Sequence, residues 1–129
     1  MENQIQSFNI PEIMSCQKNR YPMLFIDKVT ECAPLKYAKG YKLFSYNEWF
    51  FHGNEGENFK VWSSIKIEAM SQIFLMTFLT VRENRGYIAV SNKFNNVKFF
   101  KKILPGQKLD LEAYLDSYKH GIARGKVIG

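Results

Sequence analysis

Between Ala69 and Val81 the chain carries Ala69, Met70, Ile73, Phe74, Met76, Phe78, Leu79 and Val81, which cover nearly every side of a helical wheel. A helix that is apolar all round has to be enclosed by protein. The pattern predicts a helix from about Val61 to Glu83, closed by the charged residues Arg82, Glu83 and Arg85 and then by Gly86. Its most apolar run, Ile73 to Val81, spans nine residues and includes two threonines. A bilayer span needs about 20 apolar residues, so this is a core helix and no transmembrane segment is expected. In a chain of 129 residues there is room for one such core and one layer to enclose it.

The remaining segments supply that layer. β-like runs occur at Met23–Val29, Tyr37–Phe44, Tyr87–Val90, Val97–Leu104, Lys108–Leu115 and Gly121–Ile128, and Pro105-Gly106 marks a turn. A brief helix is expected over Phe8–Met14, with Pro11 near its start. Residues 45–60, rich in Gly, Asn and Glu, form a loop. The links after the long helix are short, which predicts antiparallel strands. The expected fold is therefore α+β, a single domain over residues 1–129, with an antiparallel sheet wrapped around one long central helix. This is the hot-dog architecture. Its open sheet leaves an edge, and a dimer of such subunits, identical or not, is the expected assembly.

Composition removes several classes. Apolar residues make up 46% of the chain, which excludes wholesale disorder. The start, Met1-Glu2-Asn3-Gln4, is acidic and polar and is not a signal peptide. Cys16 and Cys32 are far apart, with no CxxC and no Cys/His cluster around them. Two free thiols, no metal site and a cytoplasmic location are expected.

A polar stripe interrupts the apolar helix. Ser64, Glu68 and Gln72 are spaced four apart and stack on one face, with Ser71 beside them. A glutamate within an apolar shell is costly unless it is hydrogen-bonded, and such a site suits a carboxylate to proton transfer. The same spacing also fits a solvated stripe at the start of the helix. A second feature is the loop Phe50-Phe51-His52-Gly53-Asn54-Glu55-Gly56, which delivers His52 close ahead of the helix. Histidine serves as acid or base near neutral pH. His120 falls in an expected turn.

These segments together resemble a known family. Arg20-Tyr21-Pro22-Met23-Leu24-Phe25-Ile26-Asp27-Lys28-Val29 is similar to the RYPxLLVDRV opening of FabZ-type 3-hydroxyacyl-acyl carrier protein dehydratases. Glu68-Ala69-Met70-Ser71-Gln72 resembles their EAxAQ helix motif. Val97-Lys98-Phe99 through Ile103-Leu104-Pro105-Gly106 resembles their VRFRRPVVPG strand and turn, and Gly121-Ile122-Ala123 their late GGIA turn. The resemblance implies a hot-dog dimer that removes water from a 3-hydroxyacyl thioester. It implies Glu68 as the helix carboxylate that helps expel the hydroxyl, with Gln72 one turn later. Gln72, Ser64, Tyr21 and Phe51 are expected at the acyl-binding site, and no metal or cofactor is needed.

The loop departs from the family pattern. The family places its catalytic His fourteen residues before the Glu, and here that position is Asn54, with His52 two residues earlier. An amide has no basic lone pair in this pH range. Three readings are open. His52 replaces the missing base, Glu68 and Asn54 support another thioester reaction such as hydrolysis, or the subunit binds acyl groups and pairs with an active homologue.

Charge adds a partner. The net charge is +6, and no acidic residue lies between Glu83 and Asp110. Arg85, Lys93, Lys98, Lys101, Lys102 and Lys108 fall in that interval. Such clustering attracts an anionic partner. The resemblance implies that Lys98, Lys101 and Lys102 meet acidic acyl carrier protein. Nucleic acid is the rival, through Phe99 and Phe100 between the lysines. Phenylalanine on an alternating strand is expected in the core instead, so no nucleic-acid partner is expected.

Overall fold

In the computed structural model, which describes residues 5–53, 59–89, 93–99 and 101–129, the chain opens with strand β1 (Gln6–Phe8) and helix α1 (Ile10–Cys16). Asn9 starts α1 with a capping box. Its side chain accepts from the Glu12 N–H at 3.0 Å, and the Glu12 carboxylate accepts from the Asn9 N–H at 3.0 Å. Pro11 sits in the first turn, where no intrahelical donor is needed. The brief helix expected over Phe8–Met14 is therefore displaced by two residues, because the cap is Asn9.

Next come strands β2 (Lys28–Ala33) and β3 (Tyr37–Leu43), then helix α2 (Ser63–Leu79), and finally β4 (Lys108–Lys119) and β5 (Ile122–Ile128). Short 3₁₀ turns lie at Trp49–Phe51 and Arg82–Asn84. The strands form one antiparallel sheet in the order β1-β2-β3-β4-β5. The β4–β5 hairpin turns at His120-Gly121, both with positive φ (54° and 74°), as a type I′ connection requires.

α2 packs on this sheet as its apolar residues demand. Ala69, Ile73 and Met76 are fully buried, and so are Ala38 from β3 and Ala113 from β4. The small residues on the sheet let the helix approach closely. α2 stops at Leu79, earlier than the expected Glu83. There Thr80 turns its hydroxyl back onto the Met76 carbonyl at 2.8 Å, and Asn84 donates to the Phe78 carbonyl at 2.9 Å. Gly86 is thus not the helix stop. Its N–H donates instead to Cys16 O at 2.9 Å, tying the segment after α2 to the end of α1.

Three expected strands differ. Within Met23–Val29 only Lys28 and Val29 enter β2. Phe25 and Ile26 are buried, but the Phe25 N–H donates to a helix side chain rather than to a neighbouring strand. Tyr87–Ala89 and the described residues of Val97–Leu104 are not in strands, and Val90 and Phe100 lie outside the described residues. Tyr87, Ile88, Val97, Phe99 and Leu104 are exposed. An apolar run becomes a strand only when a neighbour pairs with it, and among the described residues none does. Ile103 is the anchor of that segment. It is buried, and its carbonyl accepts from the Val61 N–H at 2.8 Å.

Two glycines are required by close approach. A Cβ at Gly40 in β3 would lie 2.2 Å from the Lys28 carbonyl oxygen, beside the irregularity in β2 pairing. A Cβ at Gly125 in β5 would lie 2.1 Å from the Tyr114 carbonyl oxygen and 2.5 Å from the Phe74 ring. Gly40→Ala is expected to destabilise the fold by about 1–3 kcal/mol, as overpacking does, measured by urea unfolding.

Cys16 and Cys32 are both free and buried, in agreement with the expected thiols. Burial pushes the Cys32 thiol up to about 11, with the Thr80 hydroxyl acting in the opposite direction, and burial also raises Cys16. A thiol raised in the folded state contributes stability that is complete below its unfolded value of 9.0 and is lost as pH climbs towards about 11. Alkylation by iodoacetamide at pH 8 should therefore be slow in the native chain and fast in denaturant, and unfolding free energy should fall from pH 9 upward.

Candidate functional site

The site forms around one side chain that α2 holds still. Gln72 is fully buried. Its Oε1 accepts from the Phe25 N–H at 2.7 Å, and its Nε2 donates to Met23 O at 2.7 Å. The same Nε2 donates to Glu68 Oε1 at 3.0 Å. The Gln72 carbonyl in turn accepts from Gln17 Nε2 at 3.3 Å, which links α1. One amide thus docks the Met23–Phe25 segment on the helix and orients a carboxylate one turn earlier. The i, i+4 spacing of Glu68 and Gln72 permits this.

Glu68 is half-buried rather than enclosed. It lies close to the open end of α2. Ser64, the third member of the expected stripe, is exposed. The stripe therefore passes from solvent at Ser64 to core at Gln72, and Glu68 stands at the boundary between them. This position combines a fixed orientation with access for a ligand.

The loop ahead of α2 is pinned from β3. Lys42 is buried and donates to Glu48 Oε1 at 2.7 Å, with Asp27 Oδ2 at 3.4 Å. Asp27 Oδ2 also accepts from the Leu43 N–H at 2.6 Å. Glu48 precedes the 3₁₀ turn whose Phe50 and Phe51 are buried. Trp49 Nε1 donates to Pro22 O at 3.2 Å, which ties this turn to the segment that Gln72 docks. His52 follows the turn, exposed, with its ring centroid 5.4 Å from that of Tyr46. Tyr46 and Phe51 both meet the ring of Phe59, at 5.9 and 5.8 Å. An aromatic wall of Phe25, Phe44, Phe50 and Trp62 continues behind it.

The expected residues divide as follows. Glu68 and Gln72 are in direct contact. Phe51 belongs to the core, and Tyr21 is 89% exposed. Asn54 lies outside the described residues. Lys98, Lys101 and Lys102 are exposed as expected, but not on a strand. Phe99 is 42% exposed, which corrects its expected place in the core. Sequence reasoning missed Lys66. It lies on the wheel among apolar neighbours and is buried, with its Nζ donating to Lys101 O at 2.9 Å. A lysine flanked by Ile65 and Ile67 was the available signal. No group of three or more metal-binding side chains occurs among the described residues, and no helix among them is long and apolar enough to cross a membrane.

Comparison with known proteins places this geometry. A family model described as a FabA-like domain matches residues 18–128. The 3-hydroxyacyl-[acyl-carrier-protein] dehydratase FabZ of Clostridium novyi (strain NT) is 37% identical over 122 residues, covering 95% of this chain and 86% of that protein. The FabZ dehydratase of Roseiflexus castenholzii is 38% identical over 117 residues, covering 91% of this chain and 82% of that protein. That of Clostridium botulinum (strain Okra / Type B1) is 37% identical over 120 residues, covering 93% and 83%.

The Gln72 clamp can be checked directly. Gln72→Met keeps the volume but orphans the buried Phe25 N–H and removes the donor to Met23 O and Glu68 Oε1. Urea unfolding should show a loss of at least about 1–3 kcal/mol, the cost of the unsatisfied Phe25 donor alone.

Proposed function

The chain belongs to the FabA-like family of hot-dog proteins and resembles its FabZ-type dehydratases, and from that premise we propose that it dehydrates 3-hydroxyacyl thioesters presented by acyl carrier protein. The observation that carries this reading is the Glu68 carboxylate, fixed by Gln72 at 3.0 Å on the helix that the sheet covers. In the reaction the C2–H bond breaks and its proton passes to a base. The electron pair forms the C2–C3 double bond, and the C3–O bond breaks. Glu68 gives the departing hydroxyl a proton, so the products are a 2-enoyl thioester and water. The N–H groups at the very start of α2 polarise the thioester carbonyl.

The base is His52. Asn54 occupies the family's histidine position in the sequence, and an amide cannot take the proton. His52 is the imidazole on the same loop, at the end of a turn that Lys42, Glu48 and Trp49 hold in place. Lys98, Lys101 and Lys102 attract the acidic carrier protein, and the exposed Tyr21 and Met23 are covered by a second hot-dog subunit. A cytoplasmic location accompanies this reading.

The test is turnover of a 3-hydroxybutyryl thioester on acyl carrier protein. The original chain should interconvert it with the 2-enoyl form. Glu68→Gln and His52→Ala should each lower kcat by about 10²–10⁴-fold with an unchanged melting temperature. Full activity in His52→Ala would remove His52 from the mechanism. Absence of turnover in the original chain, despite carrier-protein binding, would overturn the dehydratase reading.

A further inference from the structure

The backbone fixes the turn that carries His52 better than it fixes the imidazole. The His52 N–H reaches Trp49 O at 3.4 Å, longer than a well-formed hydrogen bond, and the side chain is exposed. An exposed side chain samples several staggered rotamers, and a base works only from the one that meets the proton it removes. The ring beside the imidazole is that of Tyr46, with centroids 5.4 Å apart and planes at 35°. An aromatic contact of this kind favours one arrangement by roughly two- to tenfold.

Tyr46 is held from two directions. Its backbone lies in a turn where the Glu48 N–H donates to Ser45 O at 3.1 Å and Ser45 Oγ accepts from the Asn47 N–H at 3.0 Å. The turn follows Phe44, whose N–H donates to Gln107 O at 2.9 Å, and it ends at Glu48, which Lys42 fixes at 2.7 Å. On the ring side, Phe59 meets Tyr46 edge-on at 5.9 Å and 82°, and Phe51 meets Phe59 at 5.8 Å and 79°. Phe51 is fully buried. A run of rings thus leads from the core through Phe59 and Tyr46 to the imidazole. The turn is also moored, through Trp49 Nε1 and Pro22 O at 3.2 Å, to the segment that Gln72 docks. An imidazole fixed on this turn is therefore fixed in relation to Glu68, which the same Gln72 orients.

We propose that Tyr46 is a positioning residue for the base: its ring, backed by Phe59, selects the His52 rotamer that removes the C2 proton. This rests on the dehydratase reading and on His52 as its base. The role is exerted through His52 and not on the reacting atoms. The ring makes the contact, so phenylalanine at 46 should serve as tyrosine does.

The experiment uses two readouts on the whole chain. The first is the His52 Cε1 proton in the NMR spectrum, one of two histidine signals and assigned by its loss in His52→Ala. The Tyr46 ring current should displace it from its random-coil position. It should return towards that position in Tyr46→Leu and stay displaced in Tyr46→Phe. The second readout is turnover of a 3-hydroxybutyryl thioester on acyl carrier protein. Tyr46→Leu should lower kcat by roughly two- to tenfold and leave KM unchanged, while Tyr46→Phe keeps the original kcat. Tyr46 is 49% exposed, so the melting temperature should change little. An undisplaced His52 proton in the original chain overturns the positioning role. So does a kcat that is unchanged or raised in Tyr46→Leu, or equally lowered in Tyr46→Phe, while His52→Ala is impaired; the dehydratase reading then stands without it. No turnover in the original chain, or full activity in His52→Ala, overturns the reading beneath the proposal and the proposal with it.

Discussion

The amide of Gln72 is the interaction on which the rest of the site depends. A helix that carries apolar residues on nearly every side can slide or rotate against a sheet with little penalty, because oil-like contacts have no direction. Hydrogen bonds do have direction. Gln72 uses both ends of its side chain on the backbone of Met23 and Phe25, and so sets the rotation of α2 relative to that segment. The remaining proton of Nε2 goes to Glu68. The carboxylate is thereby aimed by the same group that locks the helix. Stability and chemistry meet in one residue, and a buried polar side chain with every bond made is tolerated where an incomplete one would be costly.

The charged residues show the same logic in two forms. Lys42 lies inside the fold with Asp27 and Glu48 at hand, and this trio joins the start of β2, the end of β3 and the turn that carries His52. Its role is architectural, since the chain itself completes the charge. Lys66 is buried to a similar degree, and its partners among the described residues are a carbonyl oxygen and an aromatic face. The basic stretch that follows Glu83 thus has two components. Lys98, Lys101 and Lys102 are solvated and suit a long-range field. Lys101 and Lys102 also close a cleft whose floor is a lysine from α2.

Much of this organisation was legible in the amino-acid sequence, and the misses have physical reasons. The unbroken apolar surface of α2 required an enclosing layer, and antiparallel pairing was expected from short links after it, although only the β4–β5 link is short and the stretch from Leu79 to Lys108 is long. Both hold, as does the hairpin turn at His120-Gly121. The Glu68–Gln72 contact followed from helical spacing alone. Strands at Tyr87–Ala89 and along Val97–Leu104 were misread because β-like composition reports a side chain's fitness for a sheet, and not whether a neighbour is present to pair. The Met23–Asp27 segment was misread because its donor found a glutamine on the helix instead of a strand. Lys66 escaped notice because a lone lysine on a wheel is ordinarily a surface residue. Its burial depends on Phe99 and Lys101 lying against it, which no local pattern encodes.

The empty place at Gly125 has a consequence for how the last hairpin settles. The Phe74 ring of α2 occupies the space that a side chain at 125 would need. If β5 slid along β4 by one position, Arg124 or Lys126 would be driven into that ring, and the strand's faces would exchange. The helix therefore works as a gauge against which the strand is measured. A missing atom in one element, matched to a large one in another, selects a single alignment from several that backbone pairing would accept equally well.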